Sequence, residues 1–341
     1  MEQASFAERL LAWWQTNGRH DLPWQTDRSP YRVWLSEIML QQTQVRTVIP
    51  YFQRFTSRFP NLERLANADL DEVLSEWTGL GYYARARNLH SAAQRCLRDH
   101  DGQLPSDPDL LSGLPGIGRS TANAIVAQAW NRRAPILDGN VKRVLSRHAA
   151  IEGWPGRSAV ERSLWQESDQ RTPEKRVADY TQAIMDLGAT LCTARSPNCQ
   201  TCPVREDCQA RRSGRVEDFP GKKPKRNRPH RSSLFLVIRN SDNGVLLVQR
   251  PPVGIWGGLW CFPEHQEGHD SQHLAVTKSM REPIEPIDHE FSHFRLTMQF
   301  MHFEAKTTES VRDWPQGRWI QPDRTTSIGL PRPVQLLLGN L

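Results

Sequence analysis

Cys192, Cys199, Cys202 and Cys208 stand in one short stretch with the spacing C-x6-C-x2-C-x5-C. Thiols this dense at the end of a domain act as disulfides, as a zinc site or as ligands of an iron–sulfur cluster. The stretch Met1–Trp14 carries acidic residues and alternates like an amphipathic helix rather than an export signal, so a reducing compartment and free thiols are expected. Structural zinc usually takes its ligands as two close doublets. Here only Cys199 and Cys202 form a doublet, flanked by two single cysteines, a pattern that suits a four-thiolate [4Fe–4S] cubane better. Zinc remains the alternative. Cys96 and Cys261 are isolated and read as packing residues.

The 341 residues allow two domains. A net charge of +6 is consistent with a polyanionic partner and equally with a solvated surplus of arginine. No apolar run approaches membrane-spanning length, so no membrane role is expected. Up to about Arg212 the pattern is helical. Val33, Glu37 and Leu40 share one face of a helix expected to begin after Pro30 and end before Pro50. Val177, Thr181, Ile184 and Leu191 mark another just before the first cysteine. Residues 221–231 read GKKPKRNRPHR, a basic, proline-punctuated linker. Strands follow at Leu234–Ile238 and Val245–Gln249, around turn residues Ser241–Gly244, and again at Phe291–Phe303. The expected organisation is a helical domain over 1–215, a linker over 216–231 and a smaller α+β domain over 232–341.

Three features of the first part carry chemistry. In Leu114-Pro115-Gly116-Ile117-Gly118 a two-glycine loop leads into an alanine-rich helix, where backbone N–H groups and the helix dipole favour an anion such as a phosphate. Asp138, in Leu137-Asp138-Gly139-Asn140, either caps the next helix or does chemistry. Glu37 interrupts an apolar stripe, so it is either a paired structural acid or a carboxyl with a raised pKa, fit to donate a proton near neutral pH.

Together these residues resemble the endonuclease III superfamily of DNA glycosylases, in which the glycine loop is the hairpin of a helix-hairpin-helix motif. Within it, the segments Trp34–Thr43, Leu22-Pro23-Trp24, Gly79–Ala86 and Leu137–Asn140 are similar to the adenine DNA glycosylases that act opposite 8-oxoguanine or guanine. Gly257-Gly258-Leu259-Trp260, Phe262-Pro263 and Leu330–Val334 resemble that family's C-terminal domain. The resemblance implies an all-α helix-hairpin-helix domain with a [4Fe–4S] loop, followed by a Nudix-like domain. It implies base-excision repair of double-stranded DNA containing A:8-oxoguanine or A:G mispairs, by a cytoplasmic, nucleoid-associated monomer.

Bifunctional members of the superfamily carry a nucleophilic lysine at the position of Ser120, and a serine cannot form their Schiff base. The resemblance therefore implies a monofunctional enzyme that leaves an abasic site. Glu37 would protonate the departing adenine and Asp138 would stabilise the sugar cation, the two-carboxylate logic of glycoside hydrolysis. The adenine must be flipped out of the duplex. Gln182 would read its edge, Asn140 would lie near the sugar, Tyr82 near the opposite base, and Gln42 would fill the vacated stack. Leu114, Gly116, Ile117 and Gly118 would hold the DNA backbone. In the C-terminal part, Gly258 and Glu264 have Nudix spacing, but Gln272 and His273 stand where the catalytic Arg-Glu pair belongs, so hydrolysis is not expected. Phe291, Ser292 and His293 match the loop that probes the lesion. A bifunctional pyrimidine glycosylase and a non-catalytic DNA-binding or electron-transfer module are the rival readings.

Overall fold

The structure is a computed structural model and describes residues 4–224, 227–265, 276–278, 282–291, 293–305, 317–323, 325 and 328–341. Helices come first in the chain: α1 (Phe6–Asn17), α2 (Pro23–Thr26), α3 (Pro30–Leu40), α4 (Val45–Arg58), α5 (Leu62–Ala66), α6 (Leu70–Glu76) and α7 (Ala84–Asp99). They continue with α8 (Pro108–Ser112), α9 (Arg119–Trp130), α10 (Gly139–His148), α11 (Ser158–Arg171), α12 (Val177–Thr190) and α13 (Gln209–Arg212). Strands β1 (His230–Arg239), β2 (Val245–Gln249), β3 (Trp260–Cys261), β4 (Val276–Lys278), β5 (Ile287–Glu290), β6 (Arg295–Ala305) and β7 (Gly317–Ile320) follow, and α14 (Arg332–Leu338) closes the chain. Two compact units result, Met1–Ala66 with Ser91–Lys225 and Asn67–His90 with Arg226–Leu341.

In the helical unit, α1 is started by a capping box: Ser5 Oγ accepts from the Glu8 N–H, and Glu8 Oε2 accepts from the Ser5 N–H. Leu10 and Trp14 of α1 pack with Val141 and Leu145 of α10, Leu164 of α11, and Tyr180, Ile184 and Leu187 of α12. Helix α9 is buried from Ala122 to Gln128, so it runs through the interior. Its polar members Asn123 and Gln128 must therefore find partners there. Asn123 donates to the Pro135 carbonyl at 2.6 Å. Gln128 reaches the site described below.

One segment differs from the sequence expectation. Pro30 is the first residue of α3, where its missing N–H costs nothing. The helix stops at Leu40, because Gln42 takes a left-handed φ of 58° that no helical residue has. A new helix starts at Val45 and carries Pro50 inside it rather than ending before it. The turn over residues 41–44 between the two helices lies at the rim of the site.

The core also holds a fully buried carboxylate. Asp186 of α12 accepts from Arg19 Nε and Nη2 at 2.8 and 2.6 Å, from the Arg19 N–H at 2.9 Å, from Trp14 Nε1 at 3.0 Å and from Gln182 Nε2 at 2.8 Å.

The second unit is a mixed sheet with the order β3-β2-β1-β6-β4 among the described residues, β5 pairing with β6 and β7 with β2. Strands β1 and β6 run parallel from His230↔Arg295 to Arg239↔Glu304; the other pairings are antiparallel. Asn240 shapes the β1–β2 turn, its Oδ1 accepting from the N–H groups of Asp242 and Gly244. The expected strand at Phe291–Phe303 begins only at Arg295; before it the Phe291 N–H donates to the Phe294 carbonyl at 2.9 Å, a turn contact between β5 and β6. Residues 67–90, which share the helical pattern of the N-terminal part, fold with this sheet. Asp71 accepts from Gln249 Nε2 and Trp260 Nε1, and Tyr83 Oη donates to the Leu330 carbonyl. A change of hydrophobic period marks the element type but not the unit an element joins. Cys96 and Cys261 are buried, and burial pushes their thiols up to about 11 and about 12. No helix among the described residues is long and apolar enough to cross a membrane.

Removing one partner of the Arg19–Asp186 pair leaves a buried charge uncompensated. Arg19→Met is expected to lower the free energy of unfolding by about 3 kcal/mol. The double variant Arg19→Met, Asp186→Leu should recover part of that loss, since it buries no lone charge. Chemical denaturation of both variants checks this.

Candidate active site

A pocket in the helical unit collects residues from six helices, α2, α3, α4, α9, α10 and α12, and the turns between them. Glu37 of α3, Ser120 of α9, Asp138 and Asn140 at the start of α10, and Gln182 of α12 all line it. Its rim includes Gln41, Thr43 and Gln44 from the α3–α4 turn.

Glu37 is partly buried, and Gln128 Nε2 donates to its Oε1 at 2.7 Å. Burial pushes the Glu37 carboxyl up to about 7, helped by the charge of Asp138 and opposed by the Gln128 hydrogen bond. It is thus an acid able to hold its proton close to neutral pH. Asp138 is the N-cap of α10, accepting from the Val141 N–H at 2.7 Å, and it lines the pocket as well. Capping and chemistry are therefore not exclusive at this position. Burial pushes its carboxyl up too. The N–H groups of Val141 and Asn140 and the cations Arg143 and Lys142 act in the opposite sense, favouring the carboxylate. Two acids sharing one pocket are thus surrounded differently. Glu37 has one amide donor, whereas Asp138 has a helix N-terminus and two cations.

Helix α10 ties this pocket to the cysteine loop. Arg143, one turn in, donates to Asn140 Oδ1, to the Gly188 carbonyl and to the Cys192 carbonyl at 2.6–2.7 Å. Arg147, a turn later and almost fully buried, donates to the carbonyls of Thr193, Ala194, Val216 and Phe219 and approaches Cys192 Sγ at 3.4 Å. Cys192, Cys199, Cys202 and Cys208 line one cavity with the apolar side chains of Val144, Leu187 and Val204. Burial pushes the Cys202 thiol up to about 12 and those of Cys199 and Cys208 upward as well, with their mutual repulsion adding to it. Four thiolates in so small an apolar space need positive charge between them, and a cluster's iron supplies it. One zinc ion would draw all four sulfurs to ~3.8 Å from one another at its usual bond length of ~2.3 Å. Among the described residues no acid, thiol or imidazole groups converge closely enough to hold a single metal ion; the thiols instead ring a shared hollow.

The other expected site residues fall as follows. Ser120 Oγ accepts from the Leu137 N–H at 2.9 Å, which ties α9 to the segment carrying Asp138. Gln182 is buried with both amide ends engaged, by Gln25 and by Asp186. Gln42 is exposed in its left-handed turn and is not among the pocket lining. In the glycine loop Leu114 and Ile117 are buried anchors. Gly116 has a φ of 78°, and Gly118 is the N-cap of α9. Tyr82 belongs to the second unit, where it is half exposed with a φ of 51° and faces the Arg85 guanidinium. In that unit Phe291 stacks on Phe294 at 4.5 Å and packs against His289 and Trp256; His293 lies 4.8 Å from the Phe294 ring. Ser292, Gln272 and His273 lie outside the described residues. Glu264 is paired with Arg250 at 2.6 Å.

Sequence reasoning missed Gln25, Gln128, Asp186, Arg143 and Arg147. The signal was present for two of them. Gln128 and Asp186 each interrupt an apolar helical run, as Glu37 does. Nothing local marks the others.

A helical unit that gathers two differently surrounded carboxyls beside a hairpin loop and braces them on a four-thiolate loop is that of an iron–sulfur DNA glycosylase. Residues 35–170 match the HhH-GPD superfamily of base excision DNA repair proteins, 192–208 the iron-sulfur binding domain of endonuclease III, and 234–340 a NUDIX domain. The helical fold is shared with a thermostable thymine-DNA glycosylase, at a TM-score of 0.55 and 25% identity over 61% of this chain and 95% of that one. It is also shared with endonuclease III from a non-covalent DNA complex, at 0.52 and 22% over 61% and 94%. Along its whole length the chain is 37% identical to the adenine DNA glycosylase of Buchnera aphidicola subsp. Acyrthosiphon pisum (strain APS), covering 98% of that protein. It is 33% identical to that of Homo sapiens over 94% of this chain and 70% of the human one. The chain belongs to the adenine DNA glycosylase family. It is a base-excision repair enzyme with a [4Fe–4S] cluster, and the iron-sulfur match over residues 192–208 spans the four loop cysteines.

The raised Glu37 carboxyl has a stability consequence. A buried acid with a folded pKa of about 7 and an unfolded one near 4.5 destabilises the fold as pH rises between those values. Glu37→Gln removes that penalty. It should leave stability near pH 4 almost unchanged and raise it near pH 8 by on the order of 3 kcal/mol. Thermal unfolding of both proteins at the two pH values measures this.

Proposed function

We propose that this enzyme is a monofunctional glycosylase that hydrolyses the N-glycosidic bond of adenine paired with 8-oxoguanine or guanine and leaves an abasic site. The observation that carries this reading is the pair of unequal carboxyls in one pocket that has a serine, not a lysine, at position 120.

Adenine is a poor leaving group as an anion. Glu37, protonated near neutral pH, would donate to a ring nitrogen of the flipped base, so that the bonding pair departs with a neutral adenine. Asp138, at the helix N-terminus, would stabilise the oxocarbenium-like sugar. The deprotonated Glu37 would then take a proton from the attacking water and return to its starting state. Asn140, held by Arg143, would lie against the sugar, and Gln182 would contact the adenine edge. Gln42 would occupy the stack that the base vacates, with Tyr82 at the opposite base. The hairpin Leu114–Gly118 would hold the DNA backbone through its N–H groups. The cluster, held by its four cysteines, is structural in this scheme and shapes the loop that carries Arg195 and Arg205.

The second unit, with Phe291, Ser292 and His293, is proposed to read the opposite base, which in 8-oxoguanine differs from guanine by one carbonyl oxygen and one N–H. We place the enzyme, as a monomer, on the chromosome in the cytoplasm.

The test is a duplex carrying a single adenine opposite 8-oxoguanine, analysed with and without alkali. Strand breakage only after alkali supports the proposal; breakage without alkali contradicts it. In the same assay Glu37→Gln should lower single-turnover excision by at least ~10³-fold while keeping lesion binding. Ser120→Lys should introduce strand cleavage that borohydride traps as a covalent adduct. A folded, DNA-binding Ser120→Lys variant that forms no adduct would remove Ser120 from the sugar's reach.

A further inference from the structure

An unbroken line of hydrogen bonds joins the buried Asp186 to Glu37 across four helices. Gln182 Nε2 donates to Asp186 Oδ1 at 2.8 Å, and Gln25 Nε2 donates to Gln182 Oε1 at 2.6 Å. The same Gln25 Nε2 donates to Gln128 Oε1 at 3.1 Å, and Gln128 Nε2 donates to Glu37 Oε1 at 2.7 Å. Each carboxamide has one donating and one accepting end, so each could in principle face either way. Here the ends of the line decide. Asp186, bound by Arg19, can only accept, which turns the nitrogen of Gln182 toward it and the oxygen toward Gln25. Arg28 can only donate. It takes the Gln25 oxygen at 2.9 Å and is itself held by Asp179. Gln25 must therefore present its nitrogen to both neighbouring glutamines. The two ends require the same direction, and they leave Gln128 only its nitrogen for Glu37.

A neutral carboxyl that receives an N–H on one oxygen carries its own proton on the other. We propose that Gln128 is a positioning residue: locked through Gln25 by Arg28 and the Arg19–Asp186 pair, it keeps the acidic proton of Glu37 on Oε2, the oxygen left to face the base. When Oε2–H breaks and the proton passes to the adenine ring nitrogen, the same Gln128 N–H stabilises the carboxylate that remains. This inference rests on the reading of Glu37 as the general acid. The other charged groups of the pocket, Asp138, Asp21, Arg19, Arg46 and Arg143, are left in place by a substitution at 128 or 25.

The experiment is single-turnover adenine excision from an A:8-oxoguanine duplex as a function of pH, for the full-length chain, Gln128→Leu and Gln25→Glu. Cluster absorbance and duplex binding report that each variant is folded. The full-length chain should lose activity as pH rises through the Glu37 pKa. In Gln128→Leu the carboxylate loses its donor, so that limb should move up by about one pH unit and the plateau should fall about tenfold. In Gln25→Glu the new carboxylate attracts the Gln128 nitrogen. The amide then turns its oxygen toward Glu37 and draws the proton away from the base, again raising the limb and lowering the plateau. A residue that only filled space would lower the rate at every pH without moving the limb. An unmoved limb in either folded variant overturns the inference while leaving Glu37 as the acid. A full-length chain with no alkaline limb removes both. Should Gln128→Leu lose its cluster absorbance, Gln25→Glu decides alone.

Discussion

Taking a carboxyl out of water costs several kcal/mol unless the charge is paired, hydrogen-bonded or neutralised by a proton. The helical unit does this three times, with three outcomes. Asp186 is given two guanidinium N–H groups and three further donors, and it anchors α12 to α1 and the loop after it. Asp138 is given a helix N-terminus and two nearby cations, which favour its charge without sealing it from the pocket. Glu37 is given one amide N–H and a neighbouring negative charge, and burial pushes its carboxyl up to about 7. The proposed division of labour between acid and cation stabiliser rests on this inequality in donors rather than on the identity of the side chains.

The second requirement is that these groups stay in register, and α10 meets it. Its first residues carry Asp138 and Asn140, and its later turns are bound through Arg143 and Arg147 to the backbone of the cysteine loop. The loop has little regular structure of its own; between Cys192 and Cys208 it has no helix or strand. What holds it is the set of carbonyls captured by the buried Arg147 and the partly buried Arg143, together with the [4Fe–4S] cluster. In the proposed scheme the cluster has a mechanical use. It closes a loop whose carbonyls fix the helix that presents Asp138.

Much of this was readable before the structure. The thiolate spacing, the two-glycine loop and a glutamate on an apolar stripe are local patterns with local physical causes, and each sits where such causes place it. What stayed hidden depends on distant contacts. That Gln42 ends α3 in a left-handed turn, and that Pro50 lies within the next helix, are settled by packing rather than by propensity. That residues 67–90 join the sheet rests on Asp71 and Tyr83 meeting partners far along the chain. The glutamines behind Glu37 come from α2, α9 and α12, and no sequence spacing relates them. Phe291 and His293 carried a readable family pattern, but their place in a turn between two strands did not follow from their alternation.

The central claim is that the Glu37 carboxyl is pushed up to about 7, so that it still holds its proton well above the range of an ordinary glutamate. Difference infrared spectra between the full-length chain and Glu37→Gln, taken from about pH 5 to about pH 9, test it directly, because a protonated carboxyl absorbs apart from a carboxylate. The account requires a protonated-carboxyl band assigned to Glu37 at the acid end that disappears with a midpoint at about 7. A midpoint near that of an ordinary solvated glutamate, with the band already absent at about pH 6, would contradict it.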